Sequence, residues 1–217
     1  MVLKLYTALL STCGRRVATV LHEKQIPYEL VVIDLGKGEH KAPEFVKYQP
    51  FGQVPYINDD GFILYESRAI CRYLELKYPN HGPKLIPTGD VKKIALFEQA
   101  ASIELSNFDA FAASAVAEIV FKPMRGETPD PKTFDHLIKQ LDDKLKAYEV
   151  ILGKHKYLAG DELTMADLFH LPYGSMLKMA GSDIMSKQGP NVTRWWNEIS
   201  SLKSWNTVAG GVPAGLK

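Results

Sequence analysis

Apolar and polar positions change their period part-way along the chain. The opening "VLKLY", Val2 to Tyr6, alternates as a strand does. Cys13, Val17, Val20 and Leu21 then recur at i, i+4, i+7 and i+8, one face of a helix. "YELVVI", Tyr28 to Ile33, is a continuous apolar run of strand length. "VPYI" and "FILY" flank "NDDG", a hairpin signal in which Gly61 is free to take a positive φ. Ile70, Tyr73, Leu74 and Tyr78 mark another amphipathic helix. In order, this predicts β-α-β, a polar mixed segment, then β-β-α: an α/β domain with a mixed sheet over residues 1–80.

Residues 81–90 lie in "YPNHGPKLIPTGD", whose three prolines and two glycines read as a linker. From 91 to 217 the period is helical nearly throughout, and an all-α domain is expected there. Phe134, Leu137, Ile138, Leu141, Leu145, Tyr148 and Leu152 form one stripe on a single helix. In "GDELTMADLF", Thr164 caps a helix with Asp167 three residues on, a capping box with Asp in place of Glu. Leu163 and Leu168 take the positions of a hydrophobic staple, so Asp167 is assigned to folding. The glycines of "GGVPAG" read as a loose closing tail.

Composition narrows the class of protein. The 217 residues are 46% hydrophobic and 24% charged, with a formal net charge of +1. Without a long basic block or basic-aromatic stripe, nucleic acid is not an expected partner. No apolar run approaches the ~18 residues of a membrane helix, and the N-terminus does not resemble a signal peptide. The two cysteines point to a reducing compartment, so a cytoplasmic protein is expected. "NVT" at Asn191 then reads as accidental. No H-x-x-x-H or cysteine-histidine cluster suggests a metal. "GKG" at Gly36 lacks the context of a dinucleotide site, and His22 cannot be assigned as a base for a serine nucleophile.

Four motifs follow one another in register: "LLSTCGRRVATVL", "GEHKAPEF", "PFGQVPYI" and "YESRAI". Together they resemble the glutathione transferase family, most closely its phi-type, serine-using branch. The resemblance returns at "YLAGDELTMADL". It implies a thioredoxin-like first domain, an all-helical second domain contributing a hydrophobic electrophile site, and a homodimer. It also implies glutathione as co-substrate, with no cofactor. Glutathione is a tripeptide with two carboxylates, an amine and a thiol, so its site needs a backbone edge, anchors for carboxylates and a group that holds a thiolate. By resemblance Pro55 is cis and exposes Val54 N–H and C=O to pair with the peptide; the plain alternative is a strand-turn proline. Ser67 stands at a helix start, where backbone amides favour an anion, and is implied to take the γ-glutamyl group with Glu66 facing its ammonium. A helix cap is the plain alternative for Ser67. His40 and Lys41 are implied to bind the glycine carboxylate, with Gln53 near the cysteinyl-glycine end; Lys41 also suits a solvated surface charge.

The first motif offers Ser11, Thr12 and Cys13 in succession. In the family's cysteine-using relatives the reactive cysteine stands five residues ahead of the arginine, and counting back five from Arg16 gives Ser11. Cys13 shares the apolar stripe with Val17 and is expected to be a buried core thiol. Ser11 is expected to donate its hydroxyl hydrogen to the bound thiolate, with Thr12 a second candidate donor. Lowering a thiol pKa from ~8.5 by about two units takes roughly 2.7 kcal/mol. A hydrogen bond to an ionised partner supplies ~1.5–3 kcal/mol and a helix terminus ~0.3–1 more, so no general base is needed.

Three functions compete at this point. The first is conjugation of the glutathione thiolate to small hydrophobic electrophiles, with reduction of organic peroxides by the same thiolate. The second is a thiol-disulfide oxidoreductase using Cys13, and the third a non-catalytic ligand-binding protein of the same fold. Phe108, Phe111, Phe121 and Met176 are candidates for the electrophile site, against the alternative that they are core. Phe51, in "YQPFGQVP", is expected to anchor a partner subunit, against the alternative that it folds back on its own domain.

Overall fold

The computed structural model describes residues 2–216. It forms two compact units, one built from the chain up to Lys84 together with the segment from Leu202 onward, the other Leu85–Ser201. In the first unit β1 (Leu3–Thr7), α1 (Thr12–Glu23) and β2 (Tyr28–Val32) make a parallel β-α-β segment, with Leu3 beside Tyr28 and Thr7 beside Val32. A 3-10 turn at Glu39–Lys41 and the short α2 (Pro43–Val46) follow. β3 (Tyr56–Asp59) and β4 (Phe62–Tyr65) form the expected hairpin. Its two turn residues both take positive φ, 53° at Asp60 and 92° at Gly61, as the hairpin twist requires. The amphipathic α3 (Ser67–Lys77) then closes the segment.

The second unit is helical. α4 (Val91–Ile103), α5 (Ala110–Val116) and α6 (Lys122–Met124) run on through two π-helical stretches, Glu104–Asp109 and Ala117–Phe121. α7 (Pro131–Leu152), α8 (Met165–Leu168), α9 (Leu171–Met179) and α10 (Pro190–Ser200) follow. Along α7 the expected stripe is buried at Leu141, Leu145, Tyr148 and Leu152, and half-buried at Phe134, Leu137 and Ile138. The capping box at α8 is present. Asp167 accepts from the Thr164 N–H at 2.9 Å and hydroxyl at 3.0 Å, from Leu158 N–H at 3.1 Å and from Trp195 Nε1 at 2.9 Å. Burial nevertheless holds this carboxyl above its ordinary 3.8. Next to it, His170 Nδ1 donates to the Ala166 carbonyl at 2.9 Å, which leaves Nε2 to accept from the Tyr148 hydroxyl at 3.0 Å.

The chain then returns to the first unit. α11 (Lys203–Val208) packs on α1, and β5 (Gly215–Leu216) pairs antiparallel with β2. The sheet order is therefore β4-β3-β1-β2-β5. This corrects two expectations: the all-helical domain ends at Ser201 rather than 217, and "GGVPAG" is no loose tail. Val212 N–H donates to Leu9 C=O at 2.8 Å, and Arg15 donates to Ala209 C=O at 2.8 Å with its guanidinium 5.8 Å from the Trp205 ring. Gly215 is required where it stands, because its φ is 145° and a Cβ would lie 2.4 Å from the Tyr28 carbonyl oxygen. Strand pairing by so short a segment leaves no periodic signal in the sequence.

Leu5, Val17, Val20, Leu21, Ile57, Ile70 and Leu74 make the fully buried core of this unit. One ion pair is buried with them. Lys24, which ends α1, places Nζ 2.7 Å from Glu75 on α3 and donates to Pro83 C=O at 3.2 Å. No helix among the described residues is long and apolar enough to cross a membrane.

Two stability outcomes follow from these contacts. Glu75→Ala should cost about 3–5 kcal/mol in denaturant unfolding, because it strands the Lys24 ammonium, and adding Lys24→Met should restore much of that loss. Asp59 faces Lys77 at 2.5 Å and the Tyr73 hydroxyl at 2.6 Å. Burial works to raise its carboxyl, but the hydrogen bonds from Lys77 and Tyr73 and the Lys77 charge outweigh it and hold the group below its ordinary 3.8. The stabilisation is thus complete above pH ~4 and is lost as pH falls through the lowered value. Asp59→Asn should lower the melting temperature at pH 7 and flatten the acid limb below pH 4 relative to wild type.

Candidate active site

Strand register decides which segments meet. Thr7 at the end of β1 pairs with Val32 at the end of β2; Tyr6 pairs with Tyr56 at the start of β3, and Tyr56 with Tyr65 at the end of β4. The segments after β1, after β2, before β3 and after β4 therefore all leave one end of the sheet. They carry Ser11, then His40 and Lys41, then Gln53, Val54 and Pro55, then Glu66 and Ser67.

Ser11 is the N-cap of α1 and half-buried, and its Oγ accepts from Gly14 N–H at 3.0 Å. An oxygen engaged in this way still has its proton to give. Gly14 faces β1 so closely that a Cβ there would stand 2.2 Å from Thr7 Oγ1. The cap is thereby pressed to the end of the strand. Thr12 is buried. Cys13 departs from expectation: it is half-exposed rather than a core thiol. The residue of this turn that meets the sheet is Gly14, and a helix turns about 100° per residue, which carries Cys13 off the buried face. Cys13 Sγ instead meets Arg16 Nη1 at 3.5 Å. The other cysteine, Cys71, is fully buried, and burial pushes its thiol up to about 12.

The Val54–Pro55 peptide is cis, and neither Val54 N–H nor its C=O has a hydrogen-bond partner among the described residues. Gln53 is exposed, and its N–H is held by the Gln49 side chain at 3.1 Å. Lys41 is exposed and donates to the Phe51 carbonyl at 3.2 Å, so it ties its own segment to the loop before β3. Burial, with the Lys41 charge added, lowers the His40 imidazole from 6.5. His40 Nδ1 is buried without a hydrogen-bond partner among the described residues. Glu66 is exposed and takes φ 71° and ψ 107°, a strained backbone for a non-glycine residue of the kind that gathers at functional sites. Ser67 opens α3 and is buried, and its Oγ accepts from Arg16 Nη1 at 3.1 Å.

Arg16 and Gln49 are the two residues that sequence reading passed over. Arg16 served only as a counting mark, and nothing in its spacing shows that it reaches Ser67, 51 positions away. Gln49 carries no motif, but it is buried and shapes the loop that presents Gln53. Phe51 is 64% exposed, and its ring meets Tyr65 edge-on, ring centroids 6.2 Å apart.

In the helical unit the four electrophile-site candidates differ in exposure. Phe108 is fully buried with its ring 4.6 Å from His170, so the expectation that it meets a ligand is corrected: it fills the core. Met176 is buried as well. Phe111 and Phe121 are half-buried, and Lys144 Nζ lies 5.8 Å from the Phe111 ring. Among the described residues no group of three histidine, cysteine or carboxylate side chains could hold a metal ion.

Comparison with known proteins identifies the family and the fold. Residues 1–75 match the family model described as Glutathione S-transferase, N-terminal domain, and residues 112–203 that of the C-terminal domain. Glutathione S-transferase hmp2 of Hypomyces subiculosus is 44% identical over 207 residues, covering 94% of this chain and 96% of its own. The crystal structure of glutathione transferase F7 from Populus trichocarpa superposes with a TM-score of 0.91 at 40% identity, covering 98% of this chain and all of that one. Glutathione S-transferase I from mais, solved with an atrazine–glutathione conjugate, gives a TM-score of 0.86 at 34% identity, covering 96% and 97%. With both domains matched and relatives aligned over nearly its whole length, the chain belongs to the glutathione S-transferase family.

Proposed function

We propose that this glutathione transferase holds its co-substrate as a thiolate through Ser11 and transfers it to small hydrophobic electrophiles. The observation that carries this reading is the direction of one hydrogen bond. Ser11 Oγ already accepts from Gly14 N–H, so the hydroxyl proton is left for an acceptor outside the chain. It sits at the positive end of α1, a 12-residue helix, where a thiolate is favoured over a thiol. The unpartnered Val54 amide and carbonyl suit a peptide added as a strand. His40, Lys41 and Gln53 suit the glycine end of the tripeptide, and Glu66 and Ser67 the γ-glutamyl end. Nothing in the step calls for a cofactor or a metal. The relative solved with an atrazine–glutathione conjugate supports an aromatic, apolar electrophile class. Reduction of organic peroxides would draw on the same thiolate. The half-exposed Cys13 favours thiol-disulfide exchange as a second reading. We further propose a cytoplasmic homodimer in which the exposed Phe51 seats against the partner subunit.

Ser11→Ala should raise the pKa of bound glutathione and slow conjugation of a chloronitrobenzene by roughly 10- to 100-fold, the loss of ~1.5–3 kcal/mol. Cys13→Ser should leave that rate within about twofold; the opposite pattern would establish the thiol-exchange reading. Phe51→Ala should weaken dimerisation by ~2 kcal/mol or more in light scattering over a dilution series. An unchanged dimer constant would assign Phe51 to its own unit.

A further inference from the structure

The guanidinium of Arg16 is 1% exposed and reaches two segments from one nitrogen. Nη1 donates to Ser67 Oγ at 3.1 Å and to Cys13 Sγ at 3.5 Å. The Cys71 thiol on α3 in turn approaches the Arg16 carbonyl at 3.9 Å. Arg16 thus ties the first turn of α1 to the first turn of α3.

A guanidinium has five donors and no acceptor. In the Arg16–Ser67 pair the serine oxygen must therefore accept, and its single proton is directed elsewhere. Ser67 is 6% exposed, and that proton has no acceptor among the described residues. A buried donor left unpaired is unfavourable, and this one stands at the first position of an 11-residue helix whose free amides favour an anion. We infer that Arg16 is a positioning residue for the substrate carboxylate: by occupying the Ser67 oxygen it sets the Ser67 hydroxyl to donate to the α-carboxylate of the γ-glutamyl group. The same nitrogen, bonded to Cys13, keeps that donor in step with the turn that carries Ser11. The inference rests on reading the site as a glutathione site.

Calorimetry with two ligands tests it. One is S-methylglutathione; the other is the same molecule with the γ-glutamyl α-carboxylate replaced by hydrogen. Arg16→Met should raise Kd for S-methylglutathione about tenfold and change Kd for the decarboxy ligand less than twofold. In steady-state assays the KM for glutathione should rise by a larger factor than kcat falls. Arg16→Met combined with Ser67→Ala should bind S-methylglutathione no more weakly than Ser67→Ala alone, because one acts through the other. Arg16→Lys, which keeps a cationic donor at nearly the same reach, should recover part of the affinity, and it carries the two-ligand comparison if Arg16→Met does not fold. Equal losses for both ligands, or losses that add in the double variant, would overturn the role of Arg16. A wild-type chain that binds neither ligand would instead overturn the glutathione reading itself.

Discussion

β1 pairs parallel with β2 on one side and antiparallel with β3 on the other, and this pairing fixes where every loop of the candidate site leaves the sheet. A parallel pair brings the C-terminal ends of β1 and β2 together, and the antiparallel hairpin adds the start of β3 and the end of β4. The N-termini of α1 and α3 consequently arrive at the same sheet end, each with its orphan amides and its favourable field for an anion. A ligand with a thiolate and carboxylates is matched by this arrangement before any charged side chain is counted. Gly14 reinforces it, since only a residue without a Cβ lets α1 come so close to Thr7.

The two serines at these helix starts share one piece of chemistry. Ser11 accepts from a backbone amide and Ser67 from a guanidinium, so each has its oxygen engaged by the protein and its proton to offer outward. A hydroxyl that both accepts from the chain and donates to a ligand is oriented before the ligand arrives. Such preorganisation lowers the cost of binding an anion. At Ser11 the plain and the functional roles are therefore not rivals, since capping the helix engages the oxygen and leaves the proton. Ser67 lies inside α3, with Glu66 at the N-cap, so the cap alternative for Ser67 does not hold.

Charge elsewhere serves the fold. Lys24 and Glu75 pair within the first unit, and Asp167 gathers four donors in the second. In both places a buried charge is tolerated because its partners come from different segments, which makes correct packing a condition for satisfying it.

Local sequence determined the elements themselves. Period-2 and period-3.6 patterns, the "NDDG" turn and the Thr164–Asp167 box each specify a short-range geometry that needs only a few neighbouring residues, and each is present. The motifs also pointed to Ser11, Val54, Pro55 and Ser67, through the family resemblance they carry rather than through local geometry. What spans the chain was not legible. The return of Gly215–Leu216 to β2, the reach of Arg16 to Ser67, the half-exposure of Cys13 and the burial of Phe108 all depend on which surfaces come together. A helical stripe reports that one face is apolar, not which residue at its margin is covered, and only tertiary packing decides that.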